Sequence, residues 1–121
     1  MLKKKVLLVD DEKSLSELIE ESLTMVGGYY VERAFDGREA IEKYKSFLPD
    51  IVVMDVEMPV MDGYESSSRI KSFDPSARIL MLTGNPGDSR ARKTIEEGIA
   101  LSLLRKPVRL RDLNRTISEH C

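Results

Sequence analysis

At 121 residues, 41% hydrophobic and 33% charged, with a formal net charge of −2, the chain has the composition of one globular domain. No apolar run approaches the ~20 residues of a membrane span. The charge is uneven: residues 8–65 hold 15 acidic and 5 basic side chains, whereas residues 78–115 hold 9 basic and 4 acidic ones. A nucleic-acid footprint needs a basic face without a strongly acidic neighbour, so neither nucleic acid nor membrane is expected as a partner. Met1-Leu2-Lys3-Lys4-Lys5 leads directly into an apolar strand, without the apolar stretch or cleavage site of a signal peptide. Cys121 is the single cysteine and the last residue, so no internal disulfide can form and a reducing, cytoplasmic setting is expected.

In chain order, residues 5–9 (Lys-Val-Leu-Leu-Val) form a run of strand length ending at Asp10-Asp11. Ser14-Leu15-Ser16-Glu17 has capping-box spacing, and apolar residues then recur at helical intervals until Gly27-Gly28. Residues 29–34 read as a second strand. Asp36, three residues before Glu39, caps a second helix with Ala40, Ile41 and Tyr44 turned inward and Phe47-Leu48 sealing its end. Residues 51–54 (Ile-Val-Val-Met) are apolar without alternation, as in a strand buried on both faces, and the run ends in a carboxylate, Asp55. Asp62 caps a third helix over residues 63–73. That helix is weakly written, because Ser66-Ser67-Ser68 offers no apolar grip, and a loosely held segment is expected. A fourth strand over residues 78–82 ends at Thr83, and a basic helix spans about 89–97. Gly98 stops it, a fifth strand runs over residues 99–104 into Arg105-Lys106-Pro107, and Leu110, Leu113 and Ile117 mark a closing helix. His120 and Cys121 fall at a terminus expected to fray.

Strict strand–helix alternation implies an α/β sandwich around a parallel sheet. Strands one, three, four and five would then deliver Asp10-Asp11, Asp55, Thr83 and Lys106 to one edge, where such sheets bind ligands. Unit charges ~4 Å apart repel by roughly 4 kcal/mol at an effective dielectric near 20, and one ammonium cannot neutralise three carboxylates. A divalent, oxygen-seeking cation can. Mg²⁺ fits best, with Mn²⁺ or Ca²⁺ as substitutes, and the lack of His or Cys nearby disfavours zinc. A carboxylate beside Mg²⁺ can attack phosphorus, with Thr83 and Lys106 as the hydroxyl and cation around the phosphoryl oxygens. Taken singly, each residue also has a plain structural reading: a helix N-terminal acidic pair, a turn threonine, a surface lysine.

On these residues the sequence resembles the receiver domains of two-component response regulators, particularly single-domain ones of the chemotaxis and phosphorelay type. Val9-Asp10-Asp11-Glu12 is similar to their acidic-pair motif, and residues 55–63, with Met58-Pro59-Val60-Met61-Asp62-Gly63, to their phosphoacceptor segment. Leu82-Thr83-Gly84 resembles the signalling hydroxyl, and Lys106-Pro107 the terminal Lys-Pro motif. The resemblance covers essentially the whole chain, residues 1–121, as a single receiver without an output domain. It implies a flavodoxin-like (βα)5 three-layer sandwich with a parallel sheet of order 2-1-3-4-5. It implies Asp55 as phosphoacceptor, a Mg²⁺ site of Asp10, Asp11, Asp55 and the Glu57 backbone carbonyl, and a cis bond between Lys106 and Pro107. The implied donor is a sensor histidine kinase or histidine phosphotransferase. The implied output, from a monomer, is contact with a downstream protein or onward phosphotransfer.

Three positions depart from the family pattern. Leu103 stands where a switching aromatic is usual, Ser66 where the third helix usually carries an apolar residue, and Glu57 and Asn85 flank the path of attacking water. The basic fourth helix (Arg90, Arg92, Lys93) and the last one (Arg109, Arg111, Arg115) are candidate docking surfaces. Two other readings compete: a receiver-like adaptor not driven by phosphate, and a Mg²⁺-dependent phosphate-ester hydrolase. The latter lacks an evident general acid, and only 6% of residues are aromatic.

Overall fold

A computed structural model describes residues 3–121; Met1 and Leu2, at the head of the segment read for a signal peptide, lie outside the described residues. Five strands alternate with five helices: β1 (Lys5–Val9), α1 (Lys13–Met25), β2 (Tyr30–Ala34), α2 (Gly37–Phe47), β3 (Ile51–Asp55), α3 (Gly63–Phe73), β4 (Ile79–Thr83), α4 (Ser89–Glu96), β5 (Ser102–Arg105) and α5 (Leu110–His120). All pairings are parallel, and the sheet order is β2-β1-β3-β4-β5. No described helix is long and apolar enough to cross a membrane.

The period-2 geometry of the strands sorts their side chains into two layers. Leu7, Val9, Val52, Met54, Ile79 and Met81 face α2, α3 and α4, whereas Val6, Leu8, Ile51, Val53, Leu80 and Leu82 face Ile19, Leu23, Leu113 and Ile117 of α1 and α5. Every residue of β3 and β4 is buried, as their unbroken apolar runs require.

Several local expectations are corrected. Helix α1 starts at Lys13, so Ser14 lies inside it and caps nothing; the Glu12 N–H is taken by Asp10 Oδ1 at 2.9 Å instead. Leu48 does not seal α2: it is 64% exposed in a left-handed C-cap conformation, while Phe47 packs on the core. Helix α3 is not loosely held. Ser66 and Ser67 are fully buried, and Ser66 Oγ donates to the Gly37 carbonyl at 2.7 Å. A Cβ on Gly37 would lie 2.4 Å from the Met61 carbonyl, so small residues let α2 and α3 approach where bulky ones would part them. Strand β5 begins at Ser102, because the Ile99 and Ala100 N–H groups are still spent on the Thr94 carbonyl at the end of α4. The C-terminus is tied down as well, the His120 carbonyl accepting from Arg78 at 2.8 Å.

Candidate functional site

Register brings the strand ends together. Val9 pairs with Met54, Asp55 with Leu82 and Thr83 with Arg105, so Asp10, Asp55, Thr83 and Lys106 emerge at one edge of the sheet. Carboxylate oxygens of Asp10, Asp11 and Asp55 all lie within 4.8 Å of one another. Lys106 Nζ is 3.1 Å from Asp10 Oδ2 and 3.0 Å from Asp55 Oδ2. Both acids are almost wholly buried, whereas Asp11 is exposed.

The loop after β3 is folded hard against the strand. Val56 donates to the Leu82 carbonyl at 2.9 Å, and Gly63 donates back to the Val56 carbonyl at 2.9 Å. Between them the Met61 N–H reaches the Pro59 carbonyl at 2.7 Å across Val60, whose φ of 70° is strained for a β-branched residue. Asp62 accepts the Glu65 N–H at 2.9 Å as the cap of α3, as expected, and its other oxygen lies 3.5 Å from Arg90. The bond between Lys106 and Pro107 is cis.

The electrostatics are unbalanced. Asp10 is satisfied at both oxygens, by Glu12 N–H and by Lys106. Asp55 is not: its Oδ1 is buried and, among the described residues, without a hydrogen-bond partner. An orphaned carboxylate oxygen beside two further acids and one shared ammonium suits a hard divalent cation. Burial pushes the Asp55 carboxyl up from 3.8 to about 7; Lys106 opposes the rise, while Asp10 and Glu57 add to it. The two acids hold Lys106 above its ordinary value against burial, which acts the other way.

The folded protein therefore keeps a proton on Asp55 where the unfolded chain has lost it. Without divalent cations, stability is expected to fall as pH rises from about 4 to about 7, the reverse of an ordinary ion-paired carboxylate. Asp88, held down to about 2 by Arg90, acts below this window. Melting curves in chelator between about pH 5 and 7.5 check this, with Asp55→Asn flattening the decline. An equal decline in that variant would place its cause elsewhere.

A sequence model of the response regulator receiver domain matches residues 6–118. The chain belongs to this family. The receiver is 39% identical over 99 residues to chemotaxis protein CheY of Halobacterium salinarum, with 78% of each chain covered. It matches a CheY-like receiver domain protein of Methanospirillum hungatei with a TM-score of 0.90 at 27% identity, over 98% of this chain and 93% of that one. It matches a chain of the CheX-CheY-BeF3-Mg²⁺ complex of Borrelia burgdorferi with a TM-score of 0.87 at 29% identity, over 96% and 87% of the two chains. The flavodoxin-like fold and the sheet order expected from sequence are those observed.

Two features of this receiver escaped the sequence reading. The Glu57 side chain turns toward Thr83, its Oε1 accepting the hydroxyl at 2.9 Å, whereas the sequence reading had placed Glu57 beside the path of attacking water and at the metal through its carbonyl, without this contact. The candidate basic docking faces are also partly self-neutralised: Arg90 by Asp88, Arg92 by Glu96, and Arg115 by Asp112 and Glu119. Leu103, in place of the usual aromatic, is half-buried against the α4 side of the core.

Proposed function

We propose that this receiver is a Mg²⁺-dependent phosphoacceptor switch whose Asp55 takes a phosphoryl group from a histidine kinase or histidine phosphotransferase. The observation that carries the reading is the ammonium of Lys106 bridging Asp55 at 3.0 Å and Asp10 at 3.1 Å, beside an Asp55 oxygen that no other described group satisfies. Asp10, Asp11, Asp55 and the Glu57 carbonyl would hold the metal, with Mn²⁺ or Ca²⁺ able to replace it. When bound, Mg²⁺ supplies positive charge that screens the acids from one another and from an incoming phosphoryl group.

An Asp55 oxygen attacks phosphorus while the bond to the donor nitrogen breaks, and the three equatorial oxygens carry the developing charge. Lys106 is already in place to pair with one of them, and the Thr83 hydroxyl supplies a donor for another. The buried β3 and β4 fix Asp55 and Thr83 on rigid backbone, as preorganised charge stabilisation requires. Output follows by contact with a downstream protein or by onward transfer, the charge on Asp55 shifting the loop that follows Thr83 and the one that carries Lys106.

Incubation with acetyl phosphate and Mg²⁺ followed by intact-mass measurement tests the reading. One phosphoryl increment is expected, absent in chelator and absent in Asp55→Asn. Repeated turnover of a phosphate monoester without a stable adduct would favour a hydrolase instead.

A further inference from the structure

Thr83 is fully buried at the end of β4, and its hydroxyl is already engaged. Oγ1 lies 2.9 Å from Glu57 Oε1 and 3.1 Å from the Asn85 carbonyl, and it accepts the Asn85 N–H at 3.0 Å. A hydroxyl has one proton to donate, and an ionised carboxylate is a stronger acceptor than a neutral carbonyl. That proton therefore belongs to Glu57. Glu57 sits two residues past Asp55, in the loop that leaves β3.

We propose that the Glu57 side chain is a latch on Thr83: it occupies the hydroxyl until negative charge placed on Asp55 repels the Glu57 carboxylate and frees the proton for that charge. Glu57 is thus a positioning residue, distinct from any role of its backbone carbonyl toward metal, and the inference rests on the phosphoacceptor reading. Its physical content is the coupling of two competing acceptors to one donor. With Asp55 bare, Glu57 is the best acceptor within reach of Thr83. With a phosphoryl group on Asp55, like-charge repulsion weakens that acceptor as a stronger one arrives. The two arrangements are discrete, because one proton cannot serve both. Glu57 therefore opposes spontaneous activation while the site is empty and yields when it is filled.

The test uses beryllofluoride with Mg²⁺ as the phosphoryl mimic, amide resonances of residues 83–88 as the positional readout, and a cycle of Glu57→Ala and Thr83→Ala. In Glu57→Ala with Mg²⁺ alone, these resonances are expected to move toward the positions wild type reaches only with beryllofluoride. The gain in beryllofluoride affinity from Glu57→Ala should be roughly three- to tenfold larger with Thr83 present than in the Thr83→Ala background. Glu57→Gln should fall between wild type and Glu57→Ala, since a neutral acceptor still takes the proton less firmly. An equal gain in both backgrounds would mean that Glu57 acts through its charge alone, and would overturn the latch. Failure of the phosphoacceptor reading is separately visible, as wild-type resonances that ignore beryllofluoride altogether.

Discussion

Mg²⁺ at a hundredfold excess over its dissociation constant is expected to stabilise the receiver by about 2.7 kcal/mol, and Asp11→Asn to remove most of that gain. For a domain of this size the gain corresponds to a rise in melting temperature on the order of 10 °C. Asp10 and Asp55 are buried, Lys106 is shared between them, and Asp11 adds a third charge within 4.8 Å. A cation that binds only when these three groups are assembled binds the native state alone, so its binding energy appears as stability. Asp11 is the informative position because it is exposed. Its neutralisation removes like-charge repulsion, so metal-free stability should hold or rise, and a lost response reports the metal site and not a damaged fold. Thermal melts with and without Mg²⁺ measure both quantities. A full Mg²⁺ response in Asp11→Asn would show that the cation sits elsewhere.

Gly63→Ala is expected to destabilise the protein by about 3 kcal/mol or more and to abolish phosphoryl uptake with it. A Cβ at Gly63 would lie 2.1 Å from the Asp55 carbonyl oxygen, 2.9 Å from its carbon and 3.0 Å from Val56 Cα. All three are backbone atoms, so no side chain can rotate away. The loop must open, and the Gly63 N–H bond to Val56 at 2.9 Å must stretch or break. Because the obstructing backbone is that of Asp55, the displacement falls on the candidate phosphoacceptor itself. Overpacking in a fixed frame costs about 1–3 kcal/mol, and a lost buried hydrogen bond adds to it. Gly84→Ala is the matched control: a Cβ there meets nothing within 4 Å, and its effect should stay within about 0.5 kcal/mol. Urea titrations of the two variants give the comparison. Equal effects would mean that the close approach at Gly63 does not constrain the site.

The main frame of this receiver was readable before any coordinates because buried parallel strands leave unbroken apolar runs. Val6–Val9, Ile51–Met54 and Ile79–Leu82 each end abruptly in a polar group, and parallel topology then sends Asp10, Asp55 and Thr83 to one edge. Lys106 followed from the same rule even though the start of β5 did not. There the Gly98 stop was visible, but not that the Thr94 carbonyl would hold the next two N–H groups. Ser66 and Ser67 misled because polarity was taken for exposure. The small volume of Ser66, set against Gly37, permits the contact between α2 and α3, while Ser67 faces Met81 of β4, and only the spatial neighbours reveal that. The Glu57–Thr83 bond and the positive φ of Val60 belong to the path of the loop after β3, which residue types alone do not disclose.

The most direct measurement is the position of the phosphoryl group. Treating the acetyl phosphate-modified protein with borohydride converts an acyl phosphate to the corresponding alcohol, and fragmentation then locates the changed residue. Conversion of Asp55 within the peptide spanning residues 51–63 is expected, with Asp10 and Asp11 untouched. Conversion at either of those acids, or a phosphoryl group held on a hydroxyl and resistant to borohydride, would contradict the assignment of Asp55.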